Sequence, residues 1–163
     1  MMQEKTISIS FQEYSSIDQL ATSDRNLCLE SEKALETSYS PYSEFRVGAA
    51  ILLQSGKIVL GSNQENVAYP SGLCAERVAL FTKGAQYPDD PIVSIAVTAK
   101  SDKFEIDYPV APCGGCLQVL SDFEQRQDSS IRVLLYCYGG KVLATTGAAN
   151  FLPMQFIEQR LKS

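Results

Sequence analysis

Two short strings carry the residues able to do metal chemistry, Cys74-Ala75-Glu76-Arg77 and Pro112-Cys113-Gly114-Gly115-Cys116. The second is a Pro-Cys-x-x-Cys element where a helix is expected to start, which puts both sulfurs near the positive end of a helix dipole, where thiolates are favoured. Alone, Cys-x-x-Cys also reads as a redox pair or as half of a structural zinc site. Cys74 adds a third thiolate, again at an expected helix start, with a carboxylate two residues on. Three protein ligands leave the fourth tetrahedral position to water, which separates a catalytic zinc from a closed structural one. Zinc-bound water ionises near neutral pH, and Glu76 is the candidate base beside it. Three thiolates outweigh the charge of one Zn²⁺. Arg77, donating to a cysteine sulfur, is the candidate to offset them, helped by the two helix N-termini.

The chain contains no histidine. That removes the commonest metal ligand and the commonest general base together, and leaves thiolates and carboxylates to build any site. Of the five cysteines, Cys28 and Cys137 remain, and both read as small buried hydrophobes. An odd cysteine count without a signal-like N-terminus disfavours a disulfide framework and suits a cytoplasmic protein. A net charge of −5 with no basic stripe argues against a nucleic-acid partner. No run of about 18 uncharged apolar residues exists to suggest a membrane partner. With 163 residues and 45% hydrophobic composition, the expectation is a single domain over 1–163.

The elements that must position these residues follow from pattern. Ile7, Ile9 and Phe11 alternate with polar residues and suggest a strand over 5–14. Residues 23–38 place Leu27, Ser31, Ala34 and Leu35 on one helical face, with Ser23 as a possible N-cap. Apolar runs over 46–53 and 57–62, separated by Ser55-Gly56, predict a hairpin. A loop over 63–72 then delivers the chain into a helix over 74–84. A strand over 91–98, a helix from Pro112, a strand over 131–137, the Gly139-Gly140 turn and a short helix opened by Pro153 complete the pattern. The alternation implies an α/β layered domain with helices covering a central sheet.

Cys-Ala-Glu followed by Pro-Cys-x-x-Cys resembles the zinc deaminase signature, with cysteine in place of its histidine. The all-cysteine form is similar to the small oligomeric cytidine deaminases that act on free nucleosides. The resemblance covers roughly residues 39–156 and leaves 1–20 as a poorly matched extension. It implies a three-layer α/β/α fold with a mixed five-stranded sheet, one Zn²⁺ per subunit on Cys74, Cys113 and Cys116, and Glu76 as proton carrier. It also implies hydrolysis of cytidine and 2′-deoxycytidine to the uridines with release of ammonia, as in pyrimidine salvage. Phe45, in Phe-Arg-Val-Gly-Ala-Ala, is implied as a contact to the base. Asn63 and Glu65, in Asn-Gln-Glu-Asn, are implied as hydrogen-bond partners of the ribose hydroxyl. Ala68, Tyr69 and, in Phe-Leu-Pro-Met-Gln-Phe, Phe156 are implied as contacts that reach a neighbouring subunit's site in a homotetramer. Two alternatives stay open: a deaminase of another aminopyrimidine such as blasticidin S, and a non-catalytic zinc module closed by Cys28, Cys137 or a carboxylate.

Overall fold

Two largely apolar strings of the chain lie side by side at the centre of one sheet. In the computed structural model, which describes residues 2–158 and 160, these are β4 (Ile92–Ser101) and β5 (Arg132–Cys137). They run parallel, with Val97 beside Leu135. A parallel pair needs a long crossover, and α3 (Gly114–Gln127) lies within it. The hairpin β2 (Phe45–Leu53) and β3 (Ile58–Ser62) joins antiparallel to β4 on one side. On the other, β6 (Val142–Thr146) pairs antiparallel with β5.

Both faces of this sheet are covered, so its inner strands read as continuous apolar runs rather than alternating ones. Ala49, Ile51, Val97 and Leu135 pack against Ala79 and Leu80 of α2 (Ala75–Gln86) and Leu120 and Phe123 of α3. Ala50, Ala96, Leu134 and Tyr136 pack on the opposite face against Leu27 and Cys28 of α1 (Thr22–Ala34). The result is the expected three-layer α/β/α arrangement. Two glycines let the helices come this close. A Cβ on Gly48 would lie 2.1 Å from the Ser31 carbonyl of α1, and one on Gly61 would lie 2.5 Å from both Ala75 O and Ala79 N of α2.

The sheet has six strands, not five, in the order β1-β6-β5-β4-β2-β3. The sixth is β1 (Gln12–Tyr14), which pairs with β6 and satisfies what would otherwise be an open edge. The strand expected over 5–14 is thus cut to its last three residues. Before Gln12 the ladder gives way to side-chain bonds, with Ser10 N donating to Asn150 Oδ1 at 3.2 Å and Ser10 O accepting from Thr145 Oγ1 at 2.6 Å. Ile7, Ile9 and Phe11 are exposed.

The first helix begins after Ala21 rather than at Ser23, and tightens into a 3-10 turn over Leu35–Thr37. The four residues expected on its inner face, Leu27, Ser31, Ala34 and Leu35, are all buried. Over residues 153–158 the helix expected to open at Pro153 does not form. The Gln118 amide of α3 accepts from Phe156 N at 3.1 Å and donates to Phe156 O at 2.9 Å, holding that stretch against α3 as irregular chain.

Candidate active site

Cys74 and Cys113 are the N-cap residues of α2 and α3. Their backbones are extended (φ −70°, ψ 153° and φ −69°, ψ 162°), and neither side chain caps its helix, which leaves both sulfurs available. Cys116 sits in the first turn of α3 and is buried. The Sγ atoms of Cys74 and Cys113 are 3.9 Å apart, those of Cys113 and Cys116 are 3.4 Å apart, and all three lie within 4.8 Å of one another. Tetrahedral zinc with sulfur at 2.3 Å requires S···S separations of about 3.8 Å. The donor set therefore fits that ion. Among the described residues no fourth cysteine or carboxylate joins the cluster, so the closed, non-catalytic arrangement has no ligand to complete it.

The electrostatics agree with an anionic sulfur cluster. Hydrogen bonding from Cys116 above all, together with Arg77 and Cys113, lowers the Cys74 pKa to about 5 against the opposing effect of burial. Cys116 moves in the opposite direction, because it keeps the proton that Cys74 gives up. Arg77 Nη2 lies 3.7 Å from Cys74 Sγ. Its Nε is buried without a partner. Glu76, the second residue of α2, is buried at 6% exposure. Burial raises its pKa, and the neighbouring Cys74 adds to the rise.

Cys74, Glu76, Arg77 and Cys113 line a cavity of about 630 Å³, within the usual range for small-molecule sites. Val47, Leu73, Val97, Val110 and Ala111 give it apolar walls, and Phe45, Asn63, Glu65 and Tyr69 also line it. Asn63 Oδ1 accepts from Ser38 Oγ (2.5 Å) and Val47 N (2.8 Å), while its Nδ2 donates to Phe45 O (2.8 Å). One amide hydrogen is left over. Glu65 Oε2 accepts from Tyr42 N (2.8 Å) and Ser43 N (3.3 Å), and Oε1 accepts from the Ser43 hydroxyl. Burial works to raise the Glu65 pKa, but the Ser43 hydroxyl and these two amides outweigh it and the net shift is downward. A carboxylate has about four acceptor sites, so roughly one remains.

The other candidates are placed differently. Tyr69 stands at the cavity mouth, edge-on to Tyr42 with ring centroids 6.0 Å apart. Ala68 donates its N–H to Asn66 Oδ1 at 2.9 Å and does not line the cavity. Phe156 is exposed and lines a separate depression with Phe81 and Val119. Within one chain it is not brought to the site. Cys28 and Cys137 are buried free thiols, as expected of small hydrophobes. Sequence reasoning missed Ser43 and Tyr42 as anchors of Glu65, although both lie in the Tyr39-Ser40-Pro41-Tyr42-Ser43 string. It also missed Val110 and Ala111, whose only signal was adjacency to Pro112-Cys113.

Residues 21–128 match the family described as the cytidine and deoxycytidylate deaminase zinc-binding region, and the chain belongs to that family. Within it, the chain is similar to named cytidine deaminases. It is 40% identical to the cytidine deaminase of Sporosarcina psychrophila over 135 residues, covering 83% of this chain and 92% of that protein. With the cytidine deaminase of Halalkalibacterium halodurans it shares 42% identity over 100 residues, covering 61% and 71%. The crystal structure of the Burkholderia pseudomallei cytidine deaminase superposes with a TM-score of 0.68 at 37% identity, covering 80% of this chain and 97% of that one.

Proposed function

We propose that the protein is an enzyme that hydrolyses cytidine and 2′-deoxycytidine to uridine and 2′-deoxyuridine, with release of ammonia. The observation that carries this is the three-sulfur cluster with a buried carboxylate two residues along α2, bordering an apolar cavity. Cys74, Cys113 and Cys116 would hold one Zn²⁺ per subunit, and zinc there supplies a water acidified for attack on the amine-bearing carbon. Glu76 is the proton carrier: it takes the proton of the attacking water, delivers it to N3 of the base and returns a proton to the departing amine. Its raised pKa suits both halves of that cycle, and burial keeps bulk water from competing for the proton.

Phe45 presents its ring to the pyrimidine. The remaining Asn63 amide hydrogen and the remaining Glu65 acceptor site form one donor and one acceptor, the pair a sugar hydroxyl needs. Arg77 offsets the charge of the thiolates. Ala68, Tyr69 and Phe156 complete a neighbouring subunit's site in a homotetramer, which accounts for an exposed Tyr69 at the cavity mouth and an exposed Phe156 outside the cavity. The chain acts as one cytoplasmic domain in pyrimidine salvage, with residues 1–20 as an extension outside the family match. No helix among the described residues is long and apolar enough to cross a membrane.

Incubating zinc-loaded protein with cytidine, 2′-deoxycytidine, cytosine and blasticidin S, and following ammonia and absorbance, tests the proposal. Turnover of the two nucleosides and not of free cytosine is expected. Turnover of blasticidin S alone, or of nothing, would sink it.

A further inference from the structure

Three successive residues at the entry of β2 each meet one of three successive residues leaving β4. Glu44 pairs with Lys103 (Oε1 to Nζ, 3.3 Å), and Arg46 pairs with Asp102. Between these ion pairs the rings of Phe45 and Phe104 stack, with centroids 6.1 Å apart and planes at 26°. The flanking charges are partly exposed, so screening leaves them little strength. The aromatic pair is the firm contact of the three.

Phe45 already has a fixed backbone. Its N–H donates to Ser43 Oγ at 3.0 Å, and its carbonyl accepts from Asn63 Nδ2 at 2.8 Å. Neither bond restrains the ring, whose torsions stay free unless something packs on it. Phe104 supplies that packing from outside the cavity, since it is 57% exposed and does not line the wall. An aromatic this exposed contributes little to the core, and the ring it stacks on is that of Phe45. The same segment runs on from Phe104 to Val110, Ala111 and Cys113, all of which line the cavity that Phe45 lines.

We infer that Phe104 is a positioning residue for substrate: it holds the Phe45 ring in the orientation that the pyrimidine stacks upon. This rests on the reading of Phe45 as the base contact. Without Phe104 the ring must be ordered by the substrate itself, and immobilising one side chain on binding corresponds to about a two- to tenfold loss of affinity. The loss precedes chemistry, so it falls on KM and not on kcat.

Steady-state kinetics on zinc-loaded protein test it. Phe104→Ala should raise KM for cytidine about two- to tenfold with kcat within about twofold. Phe104→Tyr keeps the stack and should keep the wild-type KM. In a Phe45→Ala background Phe104→Ala should add nothing, because the ring it positions is gone. An unchanged KM for Phe104→Ala, a fall in kcat alone, or the same rise in the Phe45→Ala background overturns the inference. Wild-type protein that fails to turn over cytidine sinks the deaminase reading and this inference with it, whereas wild-type turnover with any of those results sinks this one alone.

Discussion

Gly61→Ala should damage stability and metal binding together, because the glycine lies where α2 rests on β3. The added Cβ would sit 2.5 Å from Ala75 O and from Ala79 N, both backbone atoms. An ordinary C···O contact is about 3.3 Å, so the start of α2 must retreat by about 0.8 Å. Overpacking of this kind costs about 3 kcal/mol at the upper end of its usual range. For a chain of this size that lowers Tm by about 6–12 °C. The same displacement carries Cys74, the N-cap of α2, away from Cys113 and Cys116 on α3. Metal–ligand distances tolerate only about ±0.2 Å, so zinc affinity should fall as well. Gly48→Ala is the control. Its Cβ would collide with Ser31 O of α1, on the opposite face of the sheet from the sulfurs, and should lower Tm while leaving zinc affinity near wild type. Thermal unfolding and competitive zinc titration of both variants decide the matter. A Gly61→Ala protein with wild-type zinc affinity, or a Gly48→Ala protein that loses zinc equally, refutes the reasoning.

Glu76→Gln should retain zinc and lose activity by roughly 10²–10⁴-fold, the usual range for removal of a general acid–base group; metal analysis beside a turnover assay checks both parts, and substantial activity in the loaded variant removes Glu76 from its role. Asn63→Ala breaks three hydrogen bonds that tie the Asn63 side chain to Ser38 and to Phe45 and Val47 at the entry of β2, so it should cost about 2–3 kcal/mol in urea unfolding and also raise KM; an unchanged midpoint would show that these bonds carry no net stability. Glu65 has a depressed folded-state pKa, so its anchoring of the Tyr42–Ser43 turn is fully present above the unfolded value of about 4.3 and is lost as pH falls through the lower folded value. The KM for cytidine should therefore be insensitive to this carboxylate from about pH 5 upward, and Ser43→Ala, which removes its hydroxyl donor, should move the onset of acid loss to higher pH. No difference between Ser43→Ala and wild type below pH 5 would contradict that assignment.

The cluster's residue identities were legible in the sequence because each half of it is local. A cysteine at a helix start with a glutamate two residues on, and two cysteines three apart at another, fix their relative positions through the helix itself. The absence of histidine left thiolates and carboxylates as the groups able to build the site. The layered fold was equally readable, since strands buried on both faces announce themselves as predominantly apolar runs. What the sequence alone did not determine depends on partners remote along the chain. Cys74 and Cys113, 39 residues apart, meet because Gly61 lets α2 lie against the sheet beside α3. The N-terminal segment became a strand only over the three residues that found β6, and the stretch after Pro153 stayed irregular because Gln118 took its backbone bonds. Asn63 and Glu65, two polar residues in a loop by composition, are anchored to residues around 20 positions earlier, and Phe104, in the stretch between β4 and α3, stacks on Phe45. Local spacing sets which groups a helix start can offer, whereas the sheet register and the close approach of α2 decide which of those groups share one cavity.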